Sequence, residues 1–306
     1  MKTLFMTKPF SRLGAAVLAL AATWATCLHA AQPALDDRGR PVATKTAPLR
    51  IVSLLPSLTE TVCALDACGK LVGVDRYSNW PQDQLSKLPV VGGGLDPNVE
   101  AIVALKPDVV LLSNAARVID RLEALGLRTV PLEPRTQADV HRVLQAVGEL
   151  LHIPAQDGAD KVWQRMQAGM EAAVHSLPKE IQGAKVYFEV SRGPFAAGPT
   201  SFLGELLTRM GMRNVVPAEM GPFPRLNPEF ILRAQPDVIL MGSHSMKDAV
   251  NYPGWHTLAA VRDQRVCGFN VEQSNILIRP GPRMDESARI IARCLADKAP
   301  RRGARG

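Results

Sequence analysis

Short apolar runs rich in β-branched residues alternate along this chain with stretches whose apolar positions recur every three to four residues, the pattern of strands alternating with helices. In the first half, Arg50–Leu54, Leu71–Val74, Val109–Leu112 and Thr129–Leu132 predict strands. Helices are predicted from the capping signals Ser57, Thr59 and Glu60, and near 98–105, 117–125 and 139–150. In the second half, Lys185–Val190, Val238–Met241 and Arg265–Phe269 predict strands, with helices near 201–210, 228–234, 255–261 and 283–296. Such alternation predicts an α/β fold with mostly parallel sheets.

Between the halves, Val162, Met166, Met170 and Val174 recur at i+4 over residues 157–177. The spacing predicts one amphipathic helix about 30 Å long, a stiff connector without a Gly/Ser-rich linker. The predicted organisation is therefore an N-terminal lobe over 50–150, the connecting helix, a C-terminal lobe over 183–296 and a basic tail over 297–306. An internal repeat makes the two lobes similar. Asn98–Leu112 lies on Asn227–Met241 at a constant offset of 129, with seven identical positions. Each copy reads as an Asn-capped helix, a Pro-Asp turn and a buried strand. Glu100 and Glu229 take the same early-turn position in the two copies. A carboxylate there complements the helix dipole, and one on each lobe would also make a two-point docking pattern for a basic partner.

Charge and cysteine content place the protein. The formal charge is +7 and the pI about 9.3, but the excess of positive charge lies at the two ends. Lys2, Lys8 and Arg12 precede the apolar run Leu13–Trp24, with small residues at Ala25, Ala30 and Ala31. That order is the order of a secretory signal peptide over 1–30, and the run is too short to span a bilayer. Lys298, Arg301, Arg302 and Arg305 form the tail. The body is close to neutral, which argues against a nucleic-acid partner. Export permits disulfides, and Cys63, Cys68, Cys267 and Cys294 remain after cleavage. Three pairings are possible. Two cysteines in each half favour Cys63–Cys68 and Cys267–Cys294; metal binding is the rival, but the C-x4-C spacing is not that of a zinc site and no histidine flanks it.

Three segments in order, Arg50–Glu60, Leu71–Pro81 and Asn98–Val110, resemble the periplasmic substrate-binding proteins of ABC importers for cobalamin, haem and ferric siderophores. The Tyr77-Ser-Asn-Trp-Pro81 stretch looks most like the vitamin B12-binding branch. The likeness covers residues 50 to about 296. It implies two α/β lobes joined by one long helix, a corrinoid or other large metal chelate as transported ligand in the cleft, no cofactor and no enzyme activity. It also implies a monomer that presents its ligand to the importer's permease in the inner membrane, with Glu100 and Glu229 as the docking carboxylates.

The resemblance carries the ligand site over in part. Tyr77 and Trp80 would offer flat faces to a macrocycle. Gly93 and Gly94 would let backbone approach a bulky ligand. Ser113 and Asn114 stand where relatives offer an aromatic, and Gly93 likewise. On the second lobe Phe195, Phe223, Asn275 and Arg279 would reach the cleft from loops, Arg279 as a hydrogen-bond donor to the ligand. Packing in the lobe core is the alternative for Tyr77 and Trp80, and a surface or C-lobe ion pair the alternative for Arg279. A secreted α/β enzyme is the remote alternative: the chain has no G-x-S-x-G, H-E-x-x-H, P-loop or G-x-G-x-x-G motif. His244, between two serines after a predicted strand, is the best stray candidate for a metal or haem ligand.

Overall fold

A computed structural model describes residues 1–3, 33–242 and 252–301. Residues 4–32, which take in nearly all of the expected signal peptide, the segment carrying His244 and the tail beyond Arg301 lie outside the described residues. The chain divides into two units, Met1–Gln32 and Pro33–Gly306, and both sheets lie in the second.

The first lobe holds a four-stranded, all-parallel sheet. Its strands are β1 (Ile51–Ser53), β2 (Leu71–Val74), β3 (Val109–Leu112) and β4 (Thr129–Pro131), in the order β2-β1-β3-β4. Helices α1 (Pro56–Ala64), α2 (Gln82–Leu85), α3 (Val99–Ala104), α4 (Ile119–Ala124) and α5 (Gln137–Leu150) accompany it. β3 is buried at every position, as a strand covered on both faces must be. α1 differs from expectation. Pro56 at its first turn opens it, no side chain caps it, and Thr59 and Glu60 are buried inside it.

The connector α6 (Ala159–His175) buries Val162, Met166, Met170 and Ala173. It packs on α5 of the first lobe and on the last helix of the second. One hydrophobic core consequently runs from Ile51 through Met166 to Leu295.

The second lobe repeats the first sheet and adds to it. β5 (Lys185–Ser191), β8 (Val238–Gly242) and β9 (Val266–Phe269) pair in parallel in that order. Short β7 (Arg213–Asn214) pairs in parallel with β5 on its other side, and β6 (Phe195–Ala196) folds back antiparallel on β5. The helices are α7 (Phe202–Arg209), α8 (Pro228–Ala234), α9 (Ala259–Arg262), α10 (Val271–Leu277) and α11 (Met284–Lys298). The predicted helix at 255–261 divides into a 3-10 turn, Trp255–Thr257, and α9. Cys63–Cys68 and Cys267–Cys294 are disulfide-bonded, one in each lobe. Among the described residues no helix is long and apolar enough to cross a membrane.

Candidate functional site

In each sheet the chain leaves the first strand toward one side and returns to the other, so loops diverge at the carboxyl ends of neighbouring strands, where open α/β sheets bind ligands. Tyr77 follows β2, Ser113 and Asn114 follow β3, and Phe195 follows β5. The candidate residues therefore gather on the carboxyl rims, but the structure uses them unequally.

The loop after β2 is built on a buried aspartate. Asp75 Oδ1 accepts from the Tyr77 N–H at 2.7 Å, and Asp75 Oδ2 accepts from the Ser78 hydroxyl at 2.5 Å. Thr59 Oγ1 joins this network, 2.8 Å from both Ser53 Oγ and Ser78 Oγ. Burial raises the Asp75 carboxyl above its usual range against these hydrogen bonds. The Tyr77 backbone is thus fixed while its side chain stays 61% exposed.

Arg279 does not point to the opening. It is buried, and its guanidinium is spent on the first lobe: Nη1 donates to Glu60 Oε1 at 2.8 Å and Asn79 Oδ1 at 2.9 Å, and Nη2 donates to the Tyr77 carbonyl at 2.7 Å. The ion pair thus joins the two lobes. Burial pushes the Glu60 carboxyl up against the pull of Arg279, and Glu60 Oε2 has no hydrogen-bond partner. Arg283 lies over the Trp80 ring, 4.5 Å from its centroid, so one face of that indole is already occupied. Trp80 also lines a pocket of about 530 Å³ with Asp83, Arg165 and Arg283.

Other candidates are placed differently from expectation. The glycines serve the chain itself. A Cβ on Gly94 would stand 2.5 Å from the Leu54 carbonyl oxygen, and one on Gly93 would strike the Asp96 carboxylate, so these positions admit neighbouring protein atoms where ligand was expected. Ser113 is buried and donates to Glu133 Oε2 at 2.6 Å, leaving exposed Asn114 as the accessible member of the pair. Phe195 is 38% exposed on β6. Phe223 is half-buried against Phe202, ring centroids 6.2 Å apart. Asn275 belongs to α10, a helix the pattern did not predict, and not to a loop.

Glu100 and Glu229 both lie exposed in the first turns of α3 and α8. Glu100 Oε1 accepts from Arg121 Nη2 at 2.7 Å, whereas the Glu229 carboxylate has no ion-pair partner among the described residues. No group of three or more His, Cys, Asp or Glu side chains capable of holding a metal occurs among the described residues. Sequence reasoning missed Glu60, Asp75, Asn79 and Arg283. The run Arg279-Pro-Gly-Pro-Arg283 was the available signal, since two arginines on a proline-stiffened loop present charge at fixed geometry.

Comparison with known proteins agrees with this architecture. Residues 51–269 match the family described as periplasmic binding protein. The ABC transporter substrate-binding lipoprotein YvrC of Bacillus subtilis is 27% identical over 84% of this chain and 83% of its own length. The vitamin B12-binding protein of Vibrio cholerae is 27% identical over 76% of this chain and 84% of its own. The crystal structure of the heme-binding protein HutB of Vibrio cholerae superposes with a TM-score of 0.68 at 20% identity, covering 81% of this chain and 98% of that one, a likeness of fold.

Proposed function

The chain belongs to the periplasmic binding protein family, of the ABC importer type, and from that premise we propose that it is exported and carries a corrinoid, cobalamin first, to its permease. The observation that carries this proposal is Tyr77: an exposed ring on a backbone fixed from both lobes, in the loop after the carboxyl end of β2. A flat aromatic held in place without being covered is suited to stacking on a macrocycle at little entropic cost. The vitamin B12-binding relative supports the choice of ligand. Phe195 and Asn114, exposed on the two rims, are the further contacts we assign. Glu100 and Glu229 are the docking carboxylates for arginines of the permease. Function is binding and release without covalent chemistry.

Isothermal titration of residues 31–306 with cyanocobalamin, cobinamide and haemin tests the ligand. Saturable one-to-one binding of the corrinoids, weakened about tenfold in Tyr77→Ala, is the expected result. Binding of haemin alone would move the ligand to the iron branch of the family. Changing Glu100 and Glu229 together to Ala should abolish uptake and leave affinity intact; retained uptake would end the docking assignment.

A further inference from the structure

The loop that carries Tyr77 is held in two halves by two different lobes. Its beginning is anchored within the first lobe, through Asp75 to the Tyr77 N–H and the Ser78 hydroxyl. The partners of the Asn79 side chain and the Trp80 ring come from the second lobe, Arg279 for the one and Arg283 for the other. Arg279 also takes the Tyr77 carbonyl. Glu60 completes the arrangement, with Arg279 Nη1 at 2.8 Å and Arg283 Nη1 at 3.7 Å from the same oxygen. The side chains of Glu60, Arg279 and Arg283 are all less than a tenth exposed.

We propose that Glu60 and Arg279 are a positioning pair that couples the setting of the Tyr77 loop to lobe closure, so that parting the lobes releases the aromatic from its ligand-facing geometry. The inference rests on the ligand role assigned to Tyr77. Three features support it. Arg279 spans the seam with three bonds, two of them to the loop itself, so the loop and the lobe contact cannot be broken separately. A fork of this shape reads acceptor positions, which a point charge cannot do. The pair also leaves Glu60 Oε2 buried without a partner, which is a poor way to stabilise a fold: buried ion pairs replaced by apolar side chains of similar volume often cost nothing. What the pair supplies is geometry.

The test uses the mature chain and the double variant Glu60→Leu/Arg279→Met, with Arg279→Lys as the variant that keeps a charge opposite Glu60. Three quantities are read: the urea midpoint, amide exchange at Tyr77 and Ser78, and the dissociation rate of cyanocobalamin. The expected result is a midpoint near that of the parent, exchange at Tyr77 and Ser78 about tenfold faster with β1, β3, β5 and β8 unchanged, and faster dissociation. Arg279→Lys should loosen the loop as well, because an ammonium in the place of Nη1 can hold Glu60 and Asn79 but leaves the Tyr77 carbonyl without the donor that Nη2 supplies. Exchange at the parental rate in both variants would overturn the proposal, as would an acceleration spread evenly over the fold. Should the parent fail to bind cyanocobalamin, the ligand assignment falls on that result, and the exchange measurement still decides the coupling.

Discussion

The two lobes differ most where their sheets meet solvent and least where their helices turn into strands. Lys106 and Gln235, at the 129-residue offset, both take the left-handed conformation, φ 46° and 48°, before the proline of their turns. The next residue is an aspartate that ties down the start of a neighbouring strand. Asp108 Oδ2 accepts from the N–H groups of Leu49 and Arg50, and Asp237 Oδ2 from that of Lys185. Even the basic side chains correspond: Arg50 donates to the Leu105 carbonyl and Lys185 to that of Ala234, each a helix-terminal oxygen. In the connection that leaves the first strand the correspondence breaks. The first lobe enters α1 directly through Pro56, whereas the second inserts β6 before α7. The lesson is that the helix-turn-strand unit is the common building block and the rim loops are where each lobe has been given its own task.

The inserted hairpin offers the largest test of that comparison. Gly204 in α7 faces the Gly198 carbonyl oxygen and Pro199 Cα, leaving no room for a Cβ, so Gly204→Ala should lower unfolding free energy by about 3 kcal/mol in urea titration. Gly94→Ala, pressed on Leu54 in the first lobe, should lose about 2 kcal/mol. A loss under about 1 kcal/mol at Gly204 would mean that the hairpin yields and does not fix α7.

Asp108→Ala and Asp237→Ala sharpen the likeness. Each strips partners from backbone N–H groups at a strand start, and each should cost about 2 kcal/mol. Losses differing by more than about 1 kcal/mol would show that the two turns are alike in shape and unlike in energetic role.

These contrasts also mark what the sequence makes legible. The strands β2 and β3, the connector and the repeat are local patterns, set by residues within a few positions of each other. β6, β7 and α10 are short or mixed in composition, and their periodicity is too weak to read. The seam is invisible for another reason: Glu60 and Arg279 are 219 residues apart, and a buried glutamate in a helix looks, in sequence, like a capping signal. Gly94 likewise reads as room for ligand, because nothing nearby in sequence announces that the Leu54 carbonyl lies against it.

The first lobe carries a segment with no counterpart in the second, the strap before β1. Arg40 bonds Glu123 Oε1 at 2.7 Å, and hydrogen bonds from Thr129 and Arg40 hold the Glu123 carboxyl below its ordinary value. A lowered folded pKa adds stability above the ordinary carboxylate range and loses it as pH falls through the folded value. Glu123→Gln should therefore cost about 1 kcal/mol near pH 7, the partly exposed pair being screened, with the gap closing in acid. A gap that persists below the folded pKa would assign the loss to packing.

The smallest expected effect separates the two carboxylates proposed to dock, Glu100 and Glu229. Glu100 and Arg121 form an exposed pair, 75% and 63% accessible, so Arg121→Ala should change unfolding free energy by no more than about 0.5 kcal/mol. Under the proposed docking role its consequence for transport should exceed its consequence for the fold. If Glu100 docks as proposed, Arg121 would compete with an arginine of the permease for the same carboxylate oxygen, whereas Glu229 meets no such competitor among the described residues. In a Glu229→Ala background, where docking depends on Glu100 alone, adding Arg121→Ala should raise uptake above that of the single variant. A fall in uptake would mean that Arg121 itself touches the permease, and the lobes would then dock through different chemistry at equivalent positions.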